Sequence, residues 1–417
     1  MKHLIIMCIL ILLFLASHFF CIKQWYRLLF TTVIVFTGLF SYLNFGAFFY
    51  SSQHSYHVNL SLFLVLSAYF FVFFILFSFL YRFRLVGVLL HSLLMSLVSF
   101  FKIYPPLHPF ILLYPFVGEW LPRTPYPLLN TFLLFVMSGI MFCNSSMLLK
   151  FLFFICIFAK GEFSDDLLYK HKASTTPIRV MVVQVGLYFD KGGNTKSFFN
   201  DFLSFVRNNP NIDLIVFSEN SLFGYKNDFN KELSLKLFDV IRDNNLDDDY
   251  HFFLGFSGFS NINNIVTLYK HKKIETINQK TTLIPFVEKP GFLNKKTPIN
   301  SKFFHITPNI HENKFNIFKH KIKTSICYDA FFPSIDSYDN SLVLIQSSYN
   351  LLNMGKGYDD LIYHGTILAK FVVGLHSKYV INIQDHGGTM VIDGAWRTDN
   401  VTFIHSKDNP FFIVHLQ

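Results

Sequence analysis

The sequence predicts two parts of different class: an α-helical membrane bundle over residues 1–160, and an α/β layered sandwich over residues 178–417, joined by a linker at 161–177. Three observations predict it. Apolar stretches long enough to cross a bilayer recur through the first part. Charge is partitioned unevenly: residues 1–160 hold nine Lys or Arg and one acid, Glu119, whereas the remainder holds 27 basic and 26 acidic side chains. After residue 177 short apolar runs of strand length alternate with helically spaced or polar segments.

In the first part the apolar stretches fall at residues 4–20, 28–50, 58–81 and 85–101, with a hairpin-like pair at 128–143 and 147–159, about six spans in all. Residues 104–127 are apolar too. Seven prolines, from Pro105 to Pro127, forbid a regular helix there, so the stretch reads as a loop or re-entrant segment at the interface, with Tyr114, Trp120 and Tyr126 as anchors. No small-x-small cleavage site follows the first stretch, which reads as a retained helix. Lys23 and Arg27 in the first loop, and Arg82 and Arg84 in the third, place those loops in the cytoplasm. With six spans, the second part emerges on the outer face.

The positive excess lies between apolar runs, so it is a topology signal and excludes a nucleic-acid footprint. Four of the five cysteines, Cys8, Cys21, Cys143 and Cys156, sit in or beside apolar runs; Cys327 stands alone in the second part, with no partner for a disulfide within that part and no CxxC pair for zinc. There is no Walker loop, dinucleotide fingerprint or HExxH, and His364, His376 and His386 have no metal-ligand spacing, so no cofactor or metal is expected.

In the second part, strands are predicted at residues 178–185, 213–217, 251–256, 264–269, 323–326, 341–345, 379–384, 389–393 and 410–416, and helices at 197–207, 231–244 and 358–375. Reactive side chains follow three of the segments, the place where function sits in open α/β sheets. Glu219 ends the run Leu214-Ile215-Val216-Phe217-Ser218-Glu219. Lys280 opens Lys280-Thr281-Thr282-Leu283-Ile284-Pro285-Phe286-Val287-Glu288. Cys327 follows Lys323-Thr324-Ser325-Ile326 and precedes Tyr328 and Asp329. An unassisted thiol is mostly protonated at neutral pH, so Cys327 needs a base, for which Glu219 is the candidate; Lys280 is the candidate to hold a developing oxyanion.

In this order the three segments resemble the Glu, Lys and Cys motifs of the nitrilase (carbon–nitrogen hydrolase) superfamily, over about residues 178–393. The Lys280–Glu288 run and Ile326-Cys327-Tyr328-Asp329 are similar to the apolipoprotein N-acyltransferase branch, which has spans before its catalytic domain. The resemblance implies an αββα-type sandwich, a Glu219–Lys280–Cys327 triad, and support from Glu288, Tyr328 and Asp329. It implies a multi-pass protein of the bacterial inner membrane, with its catalytic domain on the periplasmic face. There it would move an acyl chain from a phospholipid, through a Cys thioester, to an amine such as the N-terminus of an apolipoprotein.

Some positions depart from that branch. It has Trp-Pro-Glu where this chain has Phe217-Ser218-Glu219, Asn-Asp-Ala-Trp-Phe where this chain has Ser347-Ser348-Tyr349-Asn350-Leu351, and an Asn-Asn-Gly turn where this chain has Asp385-His386-Gly387. A further transmembrane helix follows the branch's catalytic domain, whereas here Gln417 follows a strand-like run. Conjugal-transfer proteins of the TraB type resemble the same branch. A membrane-tethered amidase or nitrilase and a non-enzymatic scaffold are the other expectations.

Overall fold

The computed structural model describes residues 76–108, 111, 122–142, 177–219, 222–223, 228–257, 264–284, 288, 306, 313–334, 340–349 and 358–417. The stretches expected at 4–20, 28–50 and 147–159, the greater part of 58–81, Glu119, Tyr114, Trp120 and nearly all of the linker lie outside them. In chain order the main elements are α1 (Arg84–Phe100), α2 (Pro127–Phe142), β1 (Ile178–Val183), α3 (Val185–Asp190), α4 (Thr195–Asn208), β2 (Leu214–Phe217), β3 (Leu222–Phe223), α5 (Asp228–Asp243), β4 (His251–Ser257), β5 (Ile265–His271), β6 (Ile274–Gln279), β7 (Lys314–Ile317), β8 (His320–Ile326), β9 (Leu342–Ser347), α6 (Tyr358–Val373), β10 (Tyr379–Gln384), β11 (Met390–Asp393), α7 (Asn400–Ser406) and β12 (Phe411–Leu416). The chain divides into two units: Met1–Ala173 with Phe331–Tyr338 and Leu352–His376, and Ser174–Ala330 with Asp339–Leu351 and Ser377–Gln417.

In the first unit, Phe79–Phe100 is the one stretch among the described residues long and apolar enough to cross a membrane. The break expected between two spans around Arg82 and Arg84 is narrow: a 3-10 turn, Phe79–Phe83, leads into α1 through Arg84 at φ 57°. The faces of α1 are inverted relative to a helix in water. His91, Ser92, Ser96 and Ser99 are buried with Val88 and Met95, while Leu85, Val86, Leu89, Leu90 and Leu93 are exposed, Val86 at 72%. Ser92 and Ser96 donate their hydroxyls to the carbonyls of Val88 and Ser92, which lets α1 bury them without an orphaned proton. Gly139 of α2 lies against Val88 and Tyr81, where a Cβ would come within 2.6 Å of the Val88 side chain. Asn130 closes the entry to α2 by accepting from Thr124 N and donating to Thr124 O.

The second unit is a sandwich of two mixed sheets. The first runs β12-β1-β2-β4-β5-β6, with β3 beside β4, and the second runs β11-β10-β9-β8-β7. Alternation along β1 explains the layering. Val180 and Val182 join Leu214, Val216, Leu342, Leu344, Ile381 and Ile383 between the sheets. Met181 and Val183 instead face Phe198, Phe202, Leu237 and Ile241 of α4 and α5. α4 begins with a capping box between Asn194 and Ser197.

All nine expected strands agree in position with β1, β2, β4, β5, β8, β9, β10, β11 and β12 to within a few residues. The sequence reading passes over β3, β6, β7, α3 and α7. β6 carries Ile274, Glu275, Thr276, Ile277, Asn278 and Gln279, half-exposed at its start, so polar residues at a sheet edge hide it. β7 is four residues long, and α3 and α7 are too short for a helical period to declare itself.

The strand pairings set up the site. β1, β2 and β4 are parallel, and two antiparallel steps through β5 return β6 to their direction. β8, β9 and β10 are likewise parallel. Gly255 of β4 permits one close approach: a Cβ there would stand 1.9 Å from the Ser218 carbonyl oxygen, backbone that cannot yield cheaply. Gly255→Ala is therefore expected to cost about 1–3 kcal/mol, as overpacking does, and to displace the segment carrying Glu219. A lowered Tm together with lost activity is the expected reading, and unchanged values of both would contradict it.

Candidate active site

Three strand ends supply the reactive groups. Glu219 lies two residues beyond β2, Lys280 directly follows β6, and Cys327 directly follows β8. The first two belong to one sheet and the third to the other, and the sandwich brings them together. Lys280 Nζ lies 2.6 Å from Glu219 Oε1 and 2.6 Å from Glu288 Oε1. The Cys327 thiol stands close enough to Glu219 and Lys280 for both charges to act on it. All are buried, with Lys280 1% exposed and Cys327 3%.

Each carboxylate is held at its second oxygen as well. Glu219 Oε2 accepts from the Ser348 backbone N–H at 3.1 Å, just past β9. Glu288 Oε2 accepts from Ile284 N at 2.8 Å, and Glu288 N donates to Ile284 O, so the backbone of Ile284 holds the side chain aimed at Lys280. Both carboxylates are thereby fixed in rotation as well as position.

Cys327 takes φ 44°, a left-handed conformation rare outside glycine and usually supported by its surroundings. It opens a 3-10 turn, Cys327–Phe331, which turns the chain sharply off β8. Asp329 in that turn does not reach the reactive groups. Its carboxylate instead accepts from Thr281 N at 2.8 Å, Thr281 Oγ1 at 2.9 Å and Thr282 N at 2.7 Å, binding the loop after Lys280 to the loop after Cys327. Tyr328 is half-buried beside the nucleophile position.

Burial and charge decide the protonation states. Burial pushes the Cys327 thiol well above its usual range; the Glu219 charge adds to the rise and Lys280 opposes it. Burial likewise raises Glu219 above its ordinary 4.5, against the pull of Lys280. Burial alone would lower Lys280, but Cys327, Glu219 and Glu288 outweigh it and hold the ammonium charged. The resting arrangement is thus a protonated thiol near a carboxylate whose proton affinity is elevated, beside a fixed cation. Such a set can take a proton from sulfur as the sulfur attacks, and stabilise the negative oxygen that results. Among the described residues no group of three or more His, Cys, Asp or Glu side chains is placed to hold a metal ion.

Residues 179–337 match the family model described as carbon-nitrogen hydrolase. Over that stretch the chain is similar to carbon–nitrogen hydrolases. The matched stretch contains Glu219, Lys280, Glu288 and Cys327 and stops before β9. No curated protein sequence matches the chain. Solved structures similar to it include Saccharomyces cerevisiae Nit3, a member of branch 10 of the nitrilase superfamily, and a carbon-nitrogen hydrolase from Helicobacter pylori G27. Each is 12% identical with TM-score 0.36, over 58% of this chain and 90% of that chain. A glutamine-dependent NAD+ synthetase from Acinetobacter baumannii, in complex with ADP, is 16% identical with TM-score 0.33, over 58% of this chain and 46% of its own.

Beyond the matched stretch, the site draws on residues to which the sequence reading gave no role in the chemistry. Ser348 contributes through its backbone, which no residue-type signal reveals. Tyr349 is buried near Cys327; its hydroxyl makes no hydrogen bond of ordinary geometry, although Asn382 and Ser347 lie beside it. Burial, then the neighbouring Cys327, push its pKa far up, so it is a neutral phenol with a proton to donate. Gln346 joins the sheets, donating to Phe217 O at 2.6 Å and accepting from Thr267 Oγ1.

Lys280→Ala leaves Glu219 and Glu288 buried without their cation, and should cost about 3–5 kcal/mol; thermal unfolding compared with Cys327→Ala, which removes a thiol alone, measures it. The pH dependence follows from Glu219. It must be ionised to accept a proton, and its pKa is raised, so activity is lost as pH falls through a value above 4.5. An acid limb at or below 4.5 would contradict this.

Proposed function

We propose that the chain is a membrane acyltransferase of the nitrilase superfamily, in which residues 178–417 pass an acyl chain from a phospholipid through Cys327 to an amine, as an apolipoprotein N-acyltransferase does. The observation that carries the chemistry is the convergence of the Cys327 thiol on Glu219, itself paired with Lys280. What supports the membrane setting is α1: its exposed side is leucine and valine and its buried side is histidine and serine, the arrangement that suits a lipid surround. The multi-pass topology, the bacterial inner membrane and the periplasmic placement of the catalytic domain extend that reading, on the strength of the spans and basic loops in the sequence.

Glu219 takes the thiol proton as the sulfur of Cys327 bonds to the ester carbonyl carbon. The carbonyl oxygen becomes an oxyanion beside Lys280. The ester C–O bond breaks, the leaving alcohol takes the proton from Glu219, and a thioester remains. An acceptor amine then attacks the thioester, gives a proton to Glu219, and displaces the sulfur, which recovers that proton as a thiol. Glu288 keeps Lys280 aimed, and Asp329 keeps Lys280 and Cys327 in register. Neither donor nor acceptor requires a cofactor.

The family description favours a second reading, in which water replaces the amine and the substrate is a small amide. A TraB-like role in conjugal transfer would use the same groups on another acceptor.

Incubating the full chain with acyl-labelled phospholipid should place label on Cys327 as a hydroxylamine-sensitive thioester, and Cys327→Ser should remove it. Label that never appears, with ammonia released from small amides, would select hydrolysis. Glu219→Gln should slow acylation by about 10²–10⁴-fold, the usual worth of a positioned base.

A further inference from the structure

We propose that Asp385 is a positioning residue for the general base, acting through the hydroxyl of Ser218 to fix the backbone from which Glu219 projects. The inference rests on Glu219 serving as the base for Cys327.

The head of Glu219 is held by Lys280 and Ser348, but a side chain can be no better placed than the main chain that carries it. Phe217 O is held by Gln346 Nε2. The next residue, Ser218, is fully buried and donates its hydroxyl to Asp385 Oδ1 at 2.7 Å. That same oxygen accepts from Gly186 N at 3.1 Å, and Asp385 O accepts from Leu187 N at 2.9 Å. Asp385 thus gathers the chain after β1, the chain after β2 and its own turn after β10 into one knot directly behind the base.

Two glycine features show that the knot is built for the carboxylate. At Gly186 a Cβ would lie 2.6 Å from Asp385 Oδ2 and from the His386 ring, so a side chain there would push both from their places. Gly387 and Gly388 take φ 92° and 83°, which lets the turn present Asp385 inward while His386 reaches outward. His386 Nδ1 lies 2.6 Å from Asp190 Oδ2, and its Nε2 lies 3.5 Å from Asp385 Oδ2, bracing the knot from the solvent side.

Ser218 and Asp385 stand at two of the positions where the sequence departs from the acyltransferase branch it resembles. Across 167 residues of chain, these two departures are hydrogen-bonded to each other. A proline at 218 would offer no hydroxyl; with serine there, an acceptor opposite it has a partner, and a hydrogen bond to a charged acceptor is stronger than a neutral one.

The test uses the full chain in detergent and a probe that needs no substrate: carboxamidomethylation of Cys327 by iodoacetamide, followed across acid and neutral pH by mass spectrometry of its peptide. Ser218→Ala, which leaves every charge in place, should slow the reaction about tenfold and move its acid limb to lower pH, because a loosened Glu219 is better hydrated. Asp385→Ala should do the same, and the double variant should be no worse than either alone. Asp385→Asn, whose amide oxygen still accepts, should recover the rate to within about threefold of the unaltered chain. An unaltered rate and limb in Ser218→Ala overturns the proposal, as does a slowed rate with lowered Tm and an unmoved limb, the mark of a merely structural part. Glu219→Gln is the control: if it reacts as fast as the unaltered chain, the base assignment itself is wrong, a result distinct from failure of the Ser218–Asp385 link.

Discussion

The site depends on one ammonium group buried between two carboxylates. Lys280 is almost wholly removed from water, and an isolated charge at such depth would lose its proton. Glu219 and Glu288, each 2.6 Å from it, keep it charged. The dependence is mutual, since two carboxylates this deep would not both stay ionised without the cation. Much of the surrounding structure serves this trio. The backbone of Ile284 aims one acid, Ser348 N–H aims the other, and the parallel course of β2 and β6 delivers Glu219 and Lys280 to the same end of one sheet.

The interior of the sandwich changes character along its length. Its greater part is aliphatic, with Val180, Val182, Leu214, Leu344 and Ile381 meeting between the sheets. Toward the strand ends it turns polar: Gln346 bridges Phe217 and Thr267, Asn278 reaches Thr324 across the gap at 3.4 Å, and Gln184 and Gln384 share Thr389. This polar floor was not legible in the sequence. The glutamines and threonines sit within strands where each alone looks like an ordinary exposed position, and only the pairing of two sheets makes them partners. Glu219, Lys280 and Cys327 were legible because their order and flanking residues match a known pattern, and Glu219 also ends an apolar run. Asp329 was named as support, but its attachment to Thr281 and Thr282 depends on a close approach of two loops that spacing does not encode. Tyr349 carried no signal either, since its significance lies in where its hydroxyl is left without a partner.

In the first unit the positions of α1 and α2 follow from uninterrupted apolar sequence, because length and composition are local properties. Which side of α1 faces inward does not follow from hydrophobicity in the usual way. His91, Ser92, Ser96 and Ser99 share one side of the helix, a stripe that in water would be read as the solvent face. Burial of this stripe and exposure of the leucines reverses that reading.

Asp329 has a mechanical consequence. By accepting three hydrogen bonds from Thr281 and Thr282, it welds the residue after the cation to the turn that holds the sulfur. Lys280 and Cys327 therefore travel as one rigid jaw, and the distance between the attacking atom and the stabilising charge stays constant however the neighbouring loops rearrange. Anything admitted to the site has to be accommodated by giving way elsewhere around the rim, so stiffness is kept between sulfur and ammonium and compliance is confined to the doorway.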